Sequence, residues 1–167
     1  QFPGIYGVDP WLHNEWIQET ISLGHITEGQ YVGNSYYLFP IFHLAVSAMQ
    51  IVTGLSVYSS AFVAVGGLLA LSCLFVFLIG SRLVNTRAGL LAALIVPMSA
   101  QSIGWGTAII PMSLGFCFFS AILYAVFCID RDMASRSLLV IILSAALILT
   151  HTIAAMVGFN SNVFGIK

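Results

Sequence analysis

The side chains best placed to do chemistry in this sequence are one acid and three imidazoles: Asp9, His13, His43 and His151. Asp9 and His13 are four residues apart, so on a helix their side chains share one face. A helical wheel places both in the middle of an apolar arc, opposite the two glutamates of the same segment. Because polar groups on an apolar face are costly without a partner, the spacing predicts that Asp9 and His13 face membrane or protein.

Each of these side chains also has a purely structural interpretation. Asp9 precedes Pro10, an arrangement typical of a helix N-cap followed by its first residue. His13 and His43 can be interfacial histidines bonded to backbone or lipid headgroups. His151 lies in the outer half of an apolar run, where an ionisable residue is a functional candidate, but a neutral imidazole bonded to a neighbouring threonine is the alternative.

The spacing of Asp9 and His13 also suits metal ligation. Two ligands are a weak signal, however, and no cysteine or second acid stands at a suitable spacing. The sequence therefore assigns no metal ligand and leaves a divalent metal open as a cofactor. It contains no Gly-rich phosphate loop, zinc-protease motif or nucleophile elbow.

The composition indicates an integral membrane protein. Of 167 residues, 59% are hydrophobic and 7% are charged, and the mean hydropathy is +1.01. A soluble domain carries roughly 25% charged residues, so this chain could not cover a water-facing surface. The net charge of −1 provides no basic field for a nucleic-acid partner.

The apolar runs predict an all-α, polytopic transmembrane bundle. A helix needs about 20 apolar residues to cross a hydrocarbon core of about 30 Å. Four runs approach or meet this length, at residues 57–79, 88–104, 111–129 and 137–159. Pro97 interrupts the second run and is expected to kink it. These spans form the predicted bundle of residues 57–167.

Two shorter interfacial helices are expected in residues 1–56, at about 10–23 and 40–53. The second would be about 21 Å long at 1.5 Å per residue, which is too short to span. Its polar residues, His43, Ser47 and Gln50, follow one another at helical spacing and form one stripe. This pattern favours a helix at the membrane surface.

Charges and aromatic residues predict the orientation. Residues 1–80 contain four acids and no base, whereas residues 81–167 contain five bases and two acids. The loops 81–87 and 130–136, called the basic loops here, contain two arginines each and fall on one side, which the positive-inside rule makes cytoplasmic. All three tryptophans and five of six tyrosines collect at the opposite interface. Residues 1–56 are therefore expected on the non-cytoplasmic side of a multi-pass protein.

The order of elements resembles a known superfamily. It runs "GVDPWLHNEWIQETISLGHI", a Tyr-rich linker, "YLFPIFHLAVSAMQIVTGLSVYSSAF" and a span ending "LIGSRLVNTRAGLLAAL". This is similar to the N-terminal part of the GT-C glycosyltransferases, which use polyprenyl-phosphate-linked sugars, and is closest to the protein mannosyltransferase and oligosaccharyltransferase-like members. The resemblance covers residues 4–100.

The resemblance implies roles for the candidate residues. Asp9 would match the acid of the first outer loop, which deprotonates or positions the acceptor, sometimes with a divalent metal. His13, His43 and His151 would line the same outer cavity as orienting or donor-phosphate-binding groups. The partners would be the lipid bilayer and a polyprenyl-phosphate-linked sugar. The chain would then be a fragment that is inactive alone, since a span is expected before it.

Two other functions remain open at this stage. A transporter or permease would line a substrate path with His151 and the span that contains Pro97. A non-enzymatic scaffold would use small residues such as Gly66, Gly67 and Ser72 for helix packing. The sequence does not identify the sugar, the acceptor or the lipid carrier.

Overall fold

The computed structural model describes residues 8–26, 38–108, 110–130 and 132–151. These residues are 86% helical and contain no strand, which confirms the predicted all-α class. The helices run as follows: α1 Val8–Leu23, α2 Ile41–Thr53, α3 Val57–Leu83, α4 Thr86–Met98, α5 Ala100–Ala108, α6 Pro111–Cys128 and α7 Met133–Ile148.

Among the described residues, α3 and α6 are each long and apolar enough to cross a membrane. The bent pair α4–α5 provides a third span if it is counted as one. The chain is therefore a membrane protein with two or three candidate spans in its described part. Helices α2 and α7 are apolar but shorter. Helix α7 begins at Met133, before the predicted start at residue 137, and ends at Ile148, eleven residues before the predicted end at 159, so it is shorter than the predicted span. Residues 152–159 lie outside the described residues.

Helix α3 is continuous from the end of α2 to the loop 81–87. It begins where the Ser56 hydroxyl accepts a hydrogen bond from the Ser59 amide, a standard N-cap. A π-helical turn interrupts it at Phe62–Gly66. Such turns insert an extra residue and often lie near functional sites. Gly54 ends α2 with a positive φ of 69°, a conformation that glycine adopts without strain, so α2 turns directly into α3.

The kink expected at Pro97 is confirmed. Helices α4 and α5 are bent by 57° relative to each other, and the break lies at Ser99, two residues after the proline. Ser99 has an extended backbone (φ −65°, ψ 142°), which ends α4, whereas the missing amide of Pro97 affects the turn before it. The Ser99 hydroxyl then accepts a hydrogen bond from the Ser102 amide and starts α5 anew.

The C-terminal ends of α3 and α6 lie at the same end of the bundle. Arg82, near the end of α3, donates a hydrogen bond to the carboxylate of Asp130, which follows α6. Both side chains are exposed, so the pair adds little stability. The contact between Arg82 and Asp130 brings the loops 81–87 and 130–136 to the same end of the bundle, as the charge pattern predicts.

The antiparallel pair α3 and α4 is packed through two glycines. A Cβ atom on Gly80 would approach the Gly89 Cα within 2.9 Å, and one on Gly89 would approach the Phe77 carbonyl oxygen within 2.5 Å. Such close backbone contact is typical of small residues between membrane helices. A Cβ on Gly67 would meet nothing within 4 Å, so the close contact is made at Gly80 and Gly89 rather than at Gly67.

The apolar core lies at the opposite end, where α1 and α2 cover the start of α3 and of α6. Its buried side chains are Ile17, Phe42, Val46, Val57, Ala61, Val65 and Leu114. They come from four different helices. This core therefore holds the two short helices against the spanning helices.

We predict that Gly89→Ala destabilises the protein by about 1–3 kcal/mol, because the added methyl group would overlap the α3 backbone. Gly67→Ala is the matched control and should be neutral or slightly stabilising, since alanine favours helix by up to about 1 kcal/mol over glycine. Thermal unfolding in detergent measures both. Equal effects at the two positions would contradict the proposed close packing.

Candidate functional site

The candidate site is centred on two imidazoles, one from α1 and one from α2. His13 Nδ1 and His43 Nε2 are 2.9 Å apart, which is hydrogen-bonding distance. Both side chains are buried, with 2% and 4% of their surface exposed. We call these two residues the histidine pair. They are separated by 30 residues in sequence, so tertiary packing alone brings them together.

The apolar faces of α1 and α2 position the histidine pair. Ile17 lies one turn after His13 on α1, and Phe42 and Val46 flank His43 on α2; all three belong to the core. Glu15 is exposed on the other side of α1. Burial of the apolar face therefore carries the imidazoles into the interface between the two helices, as the helical wheel predicts for His13.

Two aromatic rings enclose the histidine pair. Trp16 stands edge-on to both imidazoles, with ring centroids 5.3 Å from His13 and 5.7 Å from His43. Phe42 makes the same type of contact with both, at 5.4 Å. Edge-to-face contacts are favourable between π-systems. The sequence predicts Trp16 only as an interfacial residue. Its contact with His43 depends on how α1 and α2 pack, which the sequence pattern does not indicate.

The surroundings keep both imidazoles neutral. Burial, together with the like charges of His43 and His151, lowers the pKa of His13 from 6.5 to about 3. Burial also lowers the pKa of His43 to about 4, opposed by a hydrogen bond to the Phe39 backbone carbonyl. At neutral pH the site therefore contains imidazoles that can accept as well as donate hydrogen bonds.

His151 lies at the same end of the molecule. It follows α7, and the Ile41 amide at the start of α2 donates a hydrogen bond to the Leu149 carbonyl. This contact ties the end of α7 to the start of α2. His151 is partly exposed and interacts electrostatically with His13. The structure thus brings all three predicted histidines to one region.

Asp9 lies in the first turn of α1, one turn before His13. The helix begins at Val8, so Asp9 lies within the helix rather than at the N-cap position that Asp9-Pro10 suggested. Pro10 is tolerated there because the first amides of a helix have no intrahelical partner. The Asp9 side chain is outside the described part of the structure.

A small crevice opens beside the histidine pair. Its volume is about 20 Å³, enough for about one water molecule. His13 borders it together with Pro10, Asn14, Phe42 and Tyr58. Asn14 and Tyr58 are polar residues that the sequence did not single out for this site. Because Pro10 follows Asp9 directly, the crevice adjoins the first turn of α1.

A second cavity, of about 240 Å³, lies between α3 and the bent α4–α5 pair. Gly66, Ser72, Pro97, Ser102 and Gly106 are among its lining residues. The bend moves α5 away from the line of α4 and leaves this space against the π-helical turn. In the sequence, Pro97 indicates the kink beside this cavity. A kink alone does not indicate which neighbouring helix the cavity faces.

The described residues contain no group of three or more His, Cys, Asp or Glu side chains arranged to hold a metal ion. The histidine pair alone supplies two imidazole nitrogens. Two ligands are fewer than the three or four protein ligands of typical zinc sites.

The sequence matches no protein-family model, no curated protein and no solved structure.

The lowered pKa values predict a loss of stability in acid. An unfolded histidine binds a proton below pH 6.5, whereas the folded pair remains neutral until about pH 4 and 3. The stabilising contribution is therefore complete above about pH 7 and is lost as the pH falls toward 3. The slope should be at most about 1.4 kcal/mol per pH unit for each histidine.

Thermal unfolding in detergent between about pH 7.5 and 4 tests this prediction. The double variant His13→Gln, His43→Gln should have a flatter pH profile than the unaltered protein, because two depressed histidines are removed. His25→Gln is the control, since His25 is exposed and should leave the profile unchanged. Superimposable profiles for the double variant and the unaltered protein would contradict the burial of neutral imidazoles.

Proposed function

We propose that this protein is a membrane glycosyltransferase that transfers a sugar from a polyprenyl-phosphate-linked donor to an acceptor hydroxyl at the non-cytoplasmic membrane surface. The observation that carries the proposal is the position of Asp9, one turn before the buried histidine pair and next to the crevice. Asp9 lies one helical turn before the neutral His13 on α1, at the end of the bundle opposite the loops 81–87 and 130–136.

The proposed reaction needs a base at the membrane surface. The acceptor oxygen forms a bond to the anomeric carbon of the sugar, while the bond from that carbon to the donor phosphate oxygen breaks. Asp9 takes the proton of the acceptor hydroxyl, and the polyprenyl phosphate leaves with the electron pair. A carboxylate that is partly removed from water has a raised proton affinity, which suits it to this step.

The histidines would orient the reactants. His13 borders the crevice, and His43 holds it in place from α2. His151, after α7, would contribute from the edge of the site. Because burial keeps His13 and His43 neutral, they would serve as hydrogen-bonding groups rather than as cations for the donor phosphate.

The proposed orientation places α1 and α2 outside and the basic loops inside, following the charge and aromatic patterns. A cysteine-free background, made by replacing Cys73, Cys117 and Cys128, allows a direct test. In right-side-out vesicles a membrane-impermeant maleimide should label Glu15→Cys, whereas Arg87→Cys should react only after lysis. Both residues are exposed in the structure. The reverse labelling pattern would contradict the proposed sidedness.

Substitution of Asp9 tests the catalytic assignment. In membranes that contain the full-length protein, Asp9→Asn should lower sugar transfer from a radiolabelled polyprenyl-phosphate donor by about 10²–10⁴-fold, the usual contribution of general acid–base catalysis. Asparagine keeps the size of the side chain but cannot take the proton.

Glu15→Gln is the matched control on the same helix. Glu15 is exposed to solvent, so this variant should transfer sugar at the unaltered rate. Transfer that is unchanged in Asp9→Asn would remove Asp9 from the mechanism. Absence of transfer in the unaltered protein, with any of several sugars on the donor, would overturn the proposed function.

One observation favours a transporter as the second candidate. Broken helices beside a cavity are typical of transport proteins, and the α4–α5 bend borders a cavity of about 240 Å³. Among the described residues, serines and apolar side chains line this cavity. Cys73 is the one ionisable residue in that lining. We prefer the glycosyltransferase because the ionisable groups of the candidate site lie together at the end of the bundle that we propose to be non-cytoplasmic. Uptake into vesicles without sugar transfer would favour the transporter.

A further inference from the structure

The cavity between α3 and the bent α4–α5 pair lies at the depth of the membrane core. Its lining on α3 begins at Phe62 and ends at Cys73, well inside that 27-residue helix. At 1.5 Å per residue, this part of the lining is about 16 Å long and starts about 7 Å from the nearer end of α3. The cavity therefore follows the helix axis within the hydrocarbon region that α3 is long enough to cross.

Two glycines and the helix bend leave this space open. A Cβ atom on Gly66, at the end of the π-helical turn, would lie 3.6 Å from the Phe62 ring. A Cβ on Gly106 of α5 would lie 3.8 Å from Leu69 Cδ2 on α3. The 57° bend carries α5 away from the line of α4. Because no side chain at Gly66 or Gly106 fills the space, a cavity of about 240 Å³ remains.

The lining suits a hydrocarbon better than water. Its side-chain hydroxyl groups are those of Ser72 and Ser102, and the Ser102 hydroxyl already accepts a hydrogen bond from the Ser99 hydroxyl. A buried water needs two to four polar partners, and an apolar cavity of about 150 Å³ stays dry and binds benzene. An empty cavity would lose the van der Waals contacts of its walls. An apolar ligand would restore these contacts.

The cavity is continuous with the apolar surface of the spanning helices. Phe62, in its lining, is 57% exposed, and the lining residues Ala70 and Pro97 are also exposed. Met98, next to Pro97, is 68% exposed. In a membrane this surface contacts the acyl chains of the bilayer. A chain can therefore enter the cavity from the side without crossing water.

The lining recognises a chain and not a headgroup. None of the described residues that line the cavity is charged, and Cys73 is its one ionisable residue. The lining therefore offers no charged partner for a phosphate group. Without such a partner, a scarce lipid has no advantage over the bulk phospholipid of the bilayer, which occupies the cavity by mass action.

We propose that this cavity is a lipid site that holds one acyl chain of a bilayer phospholipid, packed lengthwise along α3 between Phe62 and Cys73. The chain fills the space that the helix bend and the two glycines leave. It thereby completes the apolar packing between α3 and α5. The site is separate from the histidine pair and does not depend on the proposed sugar transfer.

Photo-crosslinking tests the proposal. The full-length protein is placed in phosphatidylcholine nanodiscs in which part of the lipid carries a diazirine on an acyl chain. It is then washed in mild detergent and irradiated, and the adducts are mapped by mass spectrometry. We expect adducts on the cavity lining to survive the wash, whereas adducts on the exposed face of α7, at residues 138–142, should be lost. Absence of adducts at the cavity lining would overturn the proposal.

Two glycines on α5 provide matched variants. Gly106→Leu places a side chain in the cavity and should lower the yield of retained adducts by about tenfold, because the leucine takes the space and the contacts of the acyl chain. Gly104→Leu is the control, since Gly104 does not line the cavity and a Cβ there would meet nothing within 4 Å. Equal yields in the unaltered protein and in folded Gly106→Leu would overturn the proposal. If Gly106→Leu does not fold, the adduct positions in the unaltered protein still decide.

Competition identifies the occupant. Polyprenyl phosphate, added to the nanodiscs at a small molar fraction, should leave the adducts at the cavity unchanged. Their loss would assign the cavity to an isoprenoid chain and overturn the phospholipid assignment. Adducts on α7 before the wash, with none at the cavity, would show that another protein segment covers it, which also overturns the proposal. Retained adducts in a protein that transfers no sugar would support the lipid site and count only against the proposed function.

Discussion

The structure depends on the burial of two imidazoles against each other at the junction of two short helices. Protonation of both rings would place like charges at 2.9 Å in a poorly hydrated space. The arrangement is therefore stable only when the rings are neutral and share a single proton in the hydrogen bond between them. This condition links the docking of α1 on α2 to the chemistry that the site can perform.

The spanning helices provide the support for this junction. The close contact between Gly80 and Gly89 holds α3 and α4 together at the end with the basic loops. The core at the opposite end attaches α1 and α2 to α3 and α6. Between these ends the bend after Pro97 opens a cavity against the π-helical turn.

The proposed transferase uses this arrangement in a simple way. Asp9 and His13 lie one turn apart on α1, and His43 lies in the first turn of α2. The positions of these three residues therefore depend on one helix interface rather than on a long loop. Neutral imidazoles can orient a hydroxyl without neutralising a nearby carboxylate. The second cavity has none of these groups in its lining, which is made of serines, Cys73 and apolar residues.

Sequence patterns alone predict the features of this protein that depend on local physical chemistry. Apolar run lengths predict the spans at 57–79 and 111–129 closely, because helix length must match membrane thickness. Pro97 predicts the kink, since its ring disrupts the backbone hydrogen bonds of any helix. The amphipathic wheel of α1 predicts that His13 turns away from Glu15. Charges predict that the two basic loops share an end.

Only the tertiary structure decided which polar groups meet. The contact between His13 and His43 spans 30 residues, and no periodicity encodes the partner of a buried side chain. Burial at the same interface lowers both histidine pKa values, and the crevice beside Asn14 and Tyr58 lies next to it. They depend on the packing of α1 on α2, because burial and hydrogen bonding are properties of an interface and not of either helix by itself.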